Sequence, residues 1–385
     1  MERIHFSRGR EGPVRIGRIL EIMGDPLFDN VRYRCSSCGV EYEVALDRIC
    51  CDCNGVLDIV SSPPAFPSSL SGRGVGLSRY REAIAIDISR LDDANLGSAR
   101  TPILPMGGSA FVKCDYIMPS GSFKDRGAQV LAALSLRLGA KRVVVDSSGN
   151  AGAAMAAHCA RIGLSCIVVA PASAPPQKLH QSRAYGAEVR IVEGARTAAT
   201  ELALSLASEQ GTFYASHVEN PFFLEGTQTW AFEVWEQLGD APAEVVMAVG
   251  NGSLFLGAYR GFRNLFEHGL TSRIPRMVAV QAKGWSPLTG DLTHGDGKPL
   301  ADGIAISAPR RIVQILRAIE ETGGEARTVD DDAIRRSTIE LARHGLWVEP
   351  TSGAAWAGGP RYRPEGGEPI VVSLGGAGFK AMVGS

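Results

Sequence analysis

Lys124 lies in the run Pro119-Ser-Gly-Ser-Phe-Lys-Asp-Arg-Gly127, flanked by Ser122 and Arg126, just past a turn and at the mouth of a helix. A lysine amine forms a Schiff base with an aldehyde when its surroundings let it lose a proton. In amino-acid chemistry the aldehyde that needs such a partner is pyridoxal 5'-phosphate, which serves as an electron sink. Lys124 is therefore the expected covalent anchor.

Three glycine-bearing turns could hold such a cofactor and its substrate. Ser147-Ser-Gly-Asn150 follows an apolar run and opens an alanine-rich helix. The free amides and partial positive charge of a helix start suit a substrate carboxylate. Asn150 could donate to the phenolic oxygen of a pyridoxal ring; the plainer reading of this turn is a helix cap. Gly250-Asn-Gly-Ser-Leu254 is a second strand-to-helix turn, in which Gly250, Asn251, Gly252, Ser253 and Leu254 could wrap a phosphate with main-chain amides. No Lys-Ser/Thr pair follows it, so it is not a Walker A loop. Ser373-Leu-Gly-Gly-Ala-Gly-Phe-Lys380 follows the last apolar run and would lie beside the pyridine nitrogen. A flexible glycine tail is the alternative for that stretch.

A different chemistry sits near the N-terminus. Five of the eight cysteines fall between Cys35 and Cys53, as Cys35-Ser-Ser-Cys38 and Cys50-Cys-Asp-Cys53. Two C-x-x-C knuckles around a short strand-like stretch form a zinc-ribbon pattern. That spacing selects Cys35, Cys38, Cys50 and Cys53 as ligands and leaves Cys51 as the odd thiol. A closed four-sulfur site has no open position for catalysis, so the expected zinc is structural. No basic stripe accompanies the knuckles, which argues against nucleic-acid binding.

These residues need a scaffold. The 385 residues are 45% apolar and 21% charged with a formal net charge of −1, the balance of a globular enzyme with no general attraction for polyanions or membrane surfaces. No apolar run approaches the ~20 residues that span a bilayer. The N-terminus does not resemble a secretory signal, so a cytoplasmic address is expected. Six apolar runs, at 142–146, 165–170, 188–192, 245–249, 277–280 and 370–373, read as buried parallel strands. Helix-like stretches at 149–162, 197–209, 226–238 and 253–268 alternate with them. Such alternation predicts an α/β fold with parallel sheets. The expected organisation is an N-terminal segment 1–32, a zinc ribbon 33–60, a linker 61–80 and a catalytic region 81–385 with a smaller mobile lobe at about 128–222.

In this order the motifs resemble the threonine synthase family of pyridoxal-phosphate enzymes, the fold type II or tryptophan-synthase-β-like group. GSFKDRG at 121–127 resembles the family's lysine motif, SSGNAGAA at 147–154 its asparagine loop, and GNGS at 250–253 its phosphate cup. The stretches 220–239, ADGIAI at 301–306 and EPTSGAA at 349–355 are similar to family segments, and the cysteine front end resembles that of archaeal-type members. The resemblance implies a two-domain fold type II architecture, pyridoxal phosphate on Lys124, Asn150 on the ring oxygen and the 250–254 amides on the phosphate. It also implies an amino-acid substrate, whose carboxylate Ser148, Gly149 and Ala151 would help cradle, and a proton-shuttling role for Lys124. Dimers are usual for such a family, though no interface is legible in the chain.

Two departures bear on the reaction. Threonine synthases hold the phosphate of O-phosphohomoserine with a serine and an arginine before Leu-Glu-Gly. Aligned on Leu224-Glu225-Gly226, those positions are Val218 and Phe223, and a cup asparagine is replaced by Leu254. An apolar wall leaves a phosphate dianion with a large desolvation cost. Phe223 is thus expected to face an amino acid whose departing group is less charged. Family members also carry a Ser or Thr directly before Gly-x-Gly, where this chain has Gly375; Ser373, one pleat away, is the candidate for the pyridine nitrogen. The expected activity is β- or γ-elimination or replacement, that of a lyase. The alternatives are an authentic threonine synthase and a catalytically silent homologue acting as a binding partner.

Overall fold

The computed structural model describes residues 30–61, 65–66, 69–86, 88–98, 100–174, 176–194, 196–291, 299–359 and 367–380. Nearly all of the expected N-terminal segment, and residues 62–64 and 67–68 of the expected linker, lie outside them. The strands are β1 (Arg32–Cys35), β2 (Glu41–Glu43), β3 (Leu57–Val60), β4 (Ile103–Pro105), β5 (Ala110–Lys113), β6 (Arg142–Val145), β7 (Ser165–Pro171), β8 (Glu188–Val192), β9 (Thr212–Tyr214), β10 (Glu244–Ala248), β11 (Arg276–Ala282), β12 (Glu325–Val329) and β13 (Ile370–Ser373). The α-helices are α1 (Ile88–Asp93), α2 (Lys124–Arg137), α3 (Asn150–Ile162), α4 (Pro176–Ala184), α5 (Arg196–Ala207), α6 (Phe222–Thr227), α7 (Thr229–Leu238), α8 (Ser253–Glu267), α9 (Ile312–Glu321), α10 (Asp331–Arg343) and α11 (Pro350–Ala357).

Three sheets organise the chain. A small antiparallel sheet has the order β2-β1-β3. A four-stranded sheet, β8-β7-β6-β9, is parallel throughout. A six-stranded sheet, β12-β11-β10-β13-β5-β4, is parallel except for its β4 edge. The α/β class with parallel sheets is the class read from the alternation. Its inner strands are apolar on both faces, as helix-covered strands must be; β10 and β13 show it. The strand at 188–192 departs from the expected burial. It is half exposed because β8 is the sheet's edge.

α2 is buried from Asp125 to Ser135, so it runs through the molecule's interior rather than over its surface. The helix expected from Gly226 begins earlier, at Phe222. Pro221 is its N-cap, and the Phe222 amide donates to Asn220 Oδ1 at 3.0 Å, so the start signal lies five to six residues upstream of the glycine. Gly226 instead permits close packing. A Cβ there would lie 2.0 Å from the Arg126 carbonyl oxygen, and one on Gly127 would lie 2.4 Å from the Phe223 ring. The two glycines let α2 and α6 nest, which sets Phe223 beside Lys124.

Candidate active site

A cavity of about 600 Å³ opens where several strands end. β6 runs into 146–149 and α3, β10 into 249–252 and α8, and β13 into the 374–377 turn. Ligand sites of open α/β sheets gather at such carboxyl ends. Lys124, Ser148, Gly149, Asn150, Ala151 and the whole run from Gly250 to Leu254 line this cavity together. Ser373 and Phe223 are not among the described lining residues. Both are buried, Phe223 directly behind the lysine.

Lys124 Nζ donates to Ser253 Oγ at 3.2 Å. It lies 4.6 Å from the Phe123 ring centroid and 5.4 Å from that of Phe223. The amine thus sits between aromatic rings at the start of α8. Gly252 caps that helix with φ of +77°, in the left-handed region that favours glycine. Its missing Cβ also leaves room for Ile315, whose Cδ1 would otherwise be only 2.5 Å away. The amides that follow point outward from the helix start, as a phosphate requires.

Asn150 Nδ2 donates to both carboxylate oxygens of Glu349, at 3.2 and 3.1 Å. Glu349 was missed in the sequence, although it opens one of the family-like stretches. A carboxylate alone is a weak signal; its neighbour across the fold supplies the meaning. Lys380 also lines the cavity. Burial pushes its amine below the ordinary lysine value, against the opposing pull of the Glu349 and Asp125 charges. His180 and Gln181 from α4, His217, Asp302 and Thr351 complete the polar lining that the sequence did not disclose.

The glycine-rich end is built into the structure. The Phe123 amide donates to the Gly375 carbonyl at 2.9 Å, Ala377 to Gly121 at 2.9 Å, and Glu349 to Gly376 at 2.9 Å. It lies between the lysine turn and the Glu349 turn, with bridges Ser122 to Gly376 and Val348 to Ala377. Ser373 Oγ is buried with no hydrogen-bond partner, and so is Ser122 Oγ. A buried hydroxyl of this kind suits a ring nitrogen. The donor set fits a phosphorylated pyridine aldehyde: an amine, a helix start for the phosphate, an amide near the ring and hydroxyls behind it.

The cysteine cluster differs from the expectation at one position. Cys35, Cys38, Cys51 and Cys53 bring their sulfurs within 4.8 Å of one another, and Cys50 stands outside. The reason is the turn. Asn54 N donates to Cys51 O at 2.8 Å and Cys51 N to Gly55 O at 3.0 Å, with Asn54 at φ +62°. In the first knuckle Gly39 N donates to Cys35 O at 3.0 Å. The second turn therefore starts at Cys51 and is one residue shorter, and Asn54 takes the left-handed corner that Gly39 (φ +75°) holds in the first. The Cys50 side chain lies instead near Glu219 and Arg310. Sulfur pairs stand 3.6 Å apart for Cys35–Cys53 and 3.5 Å for Cys38–Cys51. A tetrahedral metal with ~2.3 Å bonds to sulfur has sulfur–sulfur edges of ~3.8 Å, so the cluster fits zinc in shape and chemistry. The Tyr42 hydroxyl lies 3.1 Å from Cys51 Sγ and holds that thiol below its ordinary value.

Comparison with known proteins agrees with this arrangement. Residues 95–376 match the family described as pyridoxal-phosphate dependent enzyme. The threonine synthase of Methanocaldococcus jannaschii is 32% identical over 376 residues, covering 90% of this chain and 92% of the relative. That of Synechocystis is 33% identical over 334 residues, covering 83% and 87%. Among solved structures, a pyridoxal 5'-phosphate-dependent aspartate racemase superposes with a TM-score of 0.63 at 26% identity, over 76% of this chain and 95% of its own. The O-acetylserine dependent cystathionine beta-synthase from Helicobacter pylori gives 0.64 at 24%, over 77% and 97%, a likeness of fold. Fold and site together define a fold type II pyridoxal-phosphate enzyme. The chain belongs to the threonine synthase family within that class.

Proposed function

We propose that this enzyme anchors pyridoxal phosphate on Lys124 and catalyses β- or γ-elimination or replacement on an amino acid whose departing group is not a phosphate dianion. When bound, the cofactor would supply an electron sink for a carbanion at the substrate's Cα. The residues of the chain would do the rest. The amides of 250–254 hold the phosphate, and Asn150, fixed by Glu349, presents its amide to the ring. Ser148, Gly149 and Ala151 receive the substrate carboxylate at the start of α3, which leaves the amino group directed to Lys124. The Lys124 amine would be placed to take the substrate's Cα proton. Ser373 is the proposed partner of the ring nitrogen. A neutral hydroxyl there tempers the electron sink and favours elimination or replacement over transamination.

One observation carries the choice of substrate class. Among the described lining residues, Lys380 is the only lysine or arginine besides Lys124, and it is balanced by the charges of Glu349 and Asp125. Phe223 and Val218 supply no cation where the family's arginine and serine stand. A phosphate dianion needs charge-assisted donors to offset its desolvation.

The relatives named threonine synthase favour a second reading, the conversion of O-phosphohomoserine to threonine and phosphate. A product assay separates the two. O-phosphohomoserine and a panel of uncharged β- and γ-substituted amino acids are incubated with the loaded enzyme, and products are identified by mass spectrometry. The proposal expects keto acid or replaced amino acid from the uncharged panel and little phosphate release. Efficient threonine and phosphate formation would overturn it in favour of the second reading.

A further inference from the structure

Arg311 and Arg310 clasp the cysteine lobe to the catalytic region beside segments that lead into the cavity, while Ile49 of the lobe packs separately on the apolar cluster around Val144 and Ile167. Arg311, 3% exposed, binds both sides of the junction. On the lobe it donates to the Leu57 carbonyl at 2.9 Å and to Asp58 Oδ1 at 3.1 Å. On the catalytic side it donates to the carbonyls of Val218 at 3.0 Å and Glu219 at 3.1 Å. Gln314, one turn on, donates to Asp58 Oδ1 at 3.0 Å and Oδ2 at 2.8 Å. Arg310 repeats the pattern at the surface, donating to Glu219 Oε1 at 2.9 Å and to Asn54 Oδ1 at 2.9 Å, inside the second cysteine turn. Tyr33 of β1 meets the Phe222 ring edge-on at 5.9 Å.

Each clasped segment continues into the cavity. His217 lines it and packs edge-on against Phe223 at 5.9 Å, two residues from the clasped Glu219 on one side and behind Lys124 on the other. Asp302 to Ile306 form another wall and lead within a few residues to Arg310. α9, which Arg311 caps, presses Ile315 against Gly252 of the phosphate turn. Two cavity walls and the phosphate turn thus converge on two arginines whose other partners belong to the cysteine lobe.

We propose that Arg311, assisted by Arg310, is a positioning residue through which the folded cysteine lobe holds the His217 wall, backed by Phe223, and the Asp302–Ile306 wall at their working separation around Lys124. The inference rests on the reading of the cavity as the pyridoxal-phosphate site. The lobe is then part of the site's frame rather than an appendage, and loosening its four-thiol cluster loosens the site.

Hydrogen-exchange mass spectrometry on the cofactor-loaded enzyme tests this, comparing wild type with Arg311→Met, Arg311→Lys and Cys51→Ser. A parallel arm measures how fast hydroxylamine releases the cofactor from Lys124. Losing several hydrogen bonds from a buried charge should speed exchange in 216–223 and 302–306 by about tenfold or more in Arg311→Met. Cys51→Ser should do the same, α3 should be unaffected, and cofactor release should quicken in both variants. Arg311→Lys, which keeps the charge, should recover part of the loss. Unchanged exchange in those segments, an even rise along the whole chain, or looser segments with an unaltered release rate would each overturn the proposal. Should Arg311→Met fail to fold, Arg310→Ala removes the Asn54 and Glu219 contacts at a partly exposed side chain, and the same segments must loosen, though less. A chain that never loads the cofactor sinks the functional reading, while the same exchange comparison made on the unloaded chain still judges the role of Arg311.

Discussion

Gly252 shows how much of the site depends on one small residue. Its φ of +77° and the 2.5 Å gap to Ile315 Cδ1 leave no room for a Cβ. Gly252→Ala should cost about 1–2 kcal/mol from the backbone alone. It should also misdirect the amides that follow. The expected result is a lower melting temperature and pyridoxal phosphate binding weakened by about tenfold, read by fluorescence titration. The cysteine turn makes a complementary case. Cys51→Ser should abolish stoichiometric zinc, measured by elemental analysis, while Cys50→Ser should retain it. The reverse pattern would restore the ligand set expected from spacing. Spacing misled there because CCDC offers two registers, and the choice lies in where the Asn54 corner falls. Asn150 and the 250–254 turn stood out because each follows an apolar run and opens a helix, and Lys124 because it sits past a Ser/Gly turn at a helix start. Glu349 and Lys380 were not, since their roles come from neighbours far along the chain.

At the scale of elements, α2 carries Lys124 on one end and, two residues further on, the arginine of a buried charge network. Arg126 donates to Asp115 at 2.7 and 2.9 Å and to Glu233 at 2.6 and 2.9 Å. Lys113 Nζ adds a 2.6 Å contact to Glu233. All four side chains are at most 4% exposed. Burial alone would raise the Glu233 carboxyl, but the charges of Arg126 and Lys113 outweigh it and hold the group at about 2, below its ordinary 4.5. A depressed carboxyl contributes stability that is full above its unfolded value and lost as pH falls through its folded value. Urea midpoints should therefore hold above about pH 5 and fall steadily between pH 4.5 and 2. Arg126→Met leaves Asp115 without its paired cation and Glu233 with Lys113 alone, and should cost about 3–5 kcal/mol at pH 7, with a smaller penalty near pH 3. An equal loss at both pH values would show that the network's charge is irrelevant. The sequence announced α2 through its lysine motif. It did not announce this network, which spans β5, α2 and α7 and has no local periodicity.

The whole molecule reads as a catalytic frame with a cysteine lobe fastened to it. No helix among the described residues is long and apolar enough to cross a membrane. The six runs taken as strands are strands, with bounds shifted by a residue or two. The alternation that defines the class was thus visible, whereas the division into separate four- and six-stranded sheets was not, because pairing partners are chosen in three dimensions. The central claim concerns one bond. Borohydride reduction of the reconstituted enzyme, followed by peptide mass spectrometry, reads it directly. A single pyridoxyl adduct on the peptide containing Lys124, absent from Lys124→Ala, is the predicted result. An unmodified Lys124, or an adduct on Lys380 across the cavity instead, would contradict it.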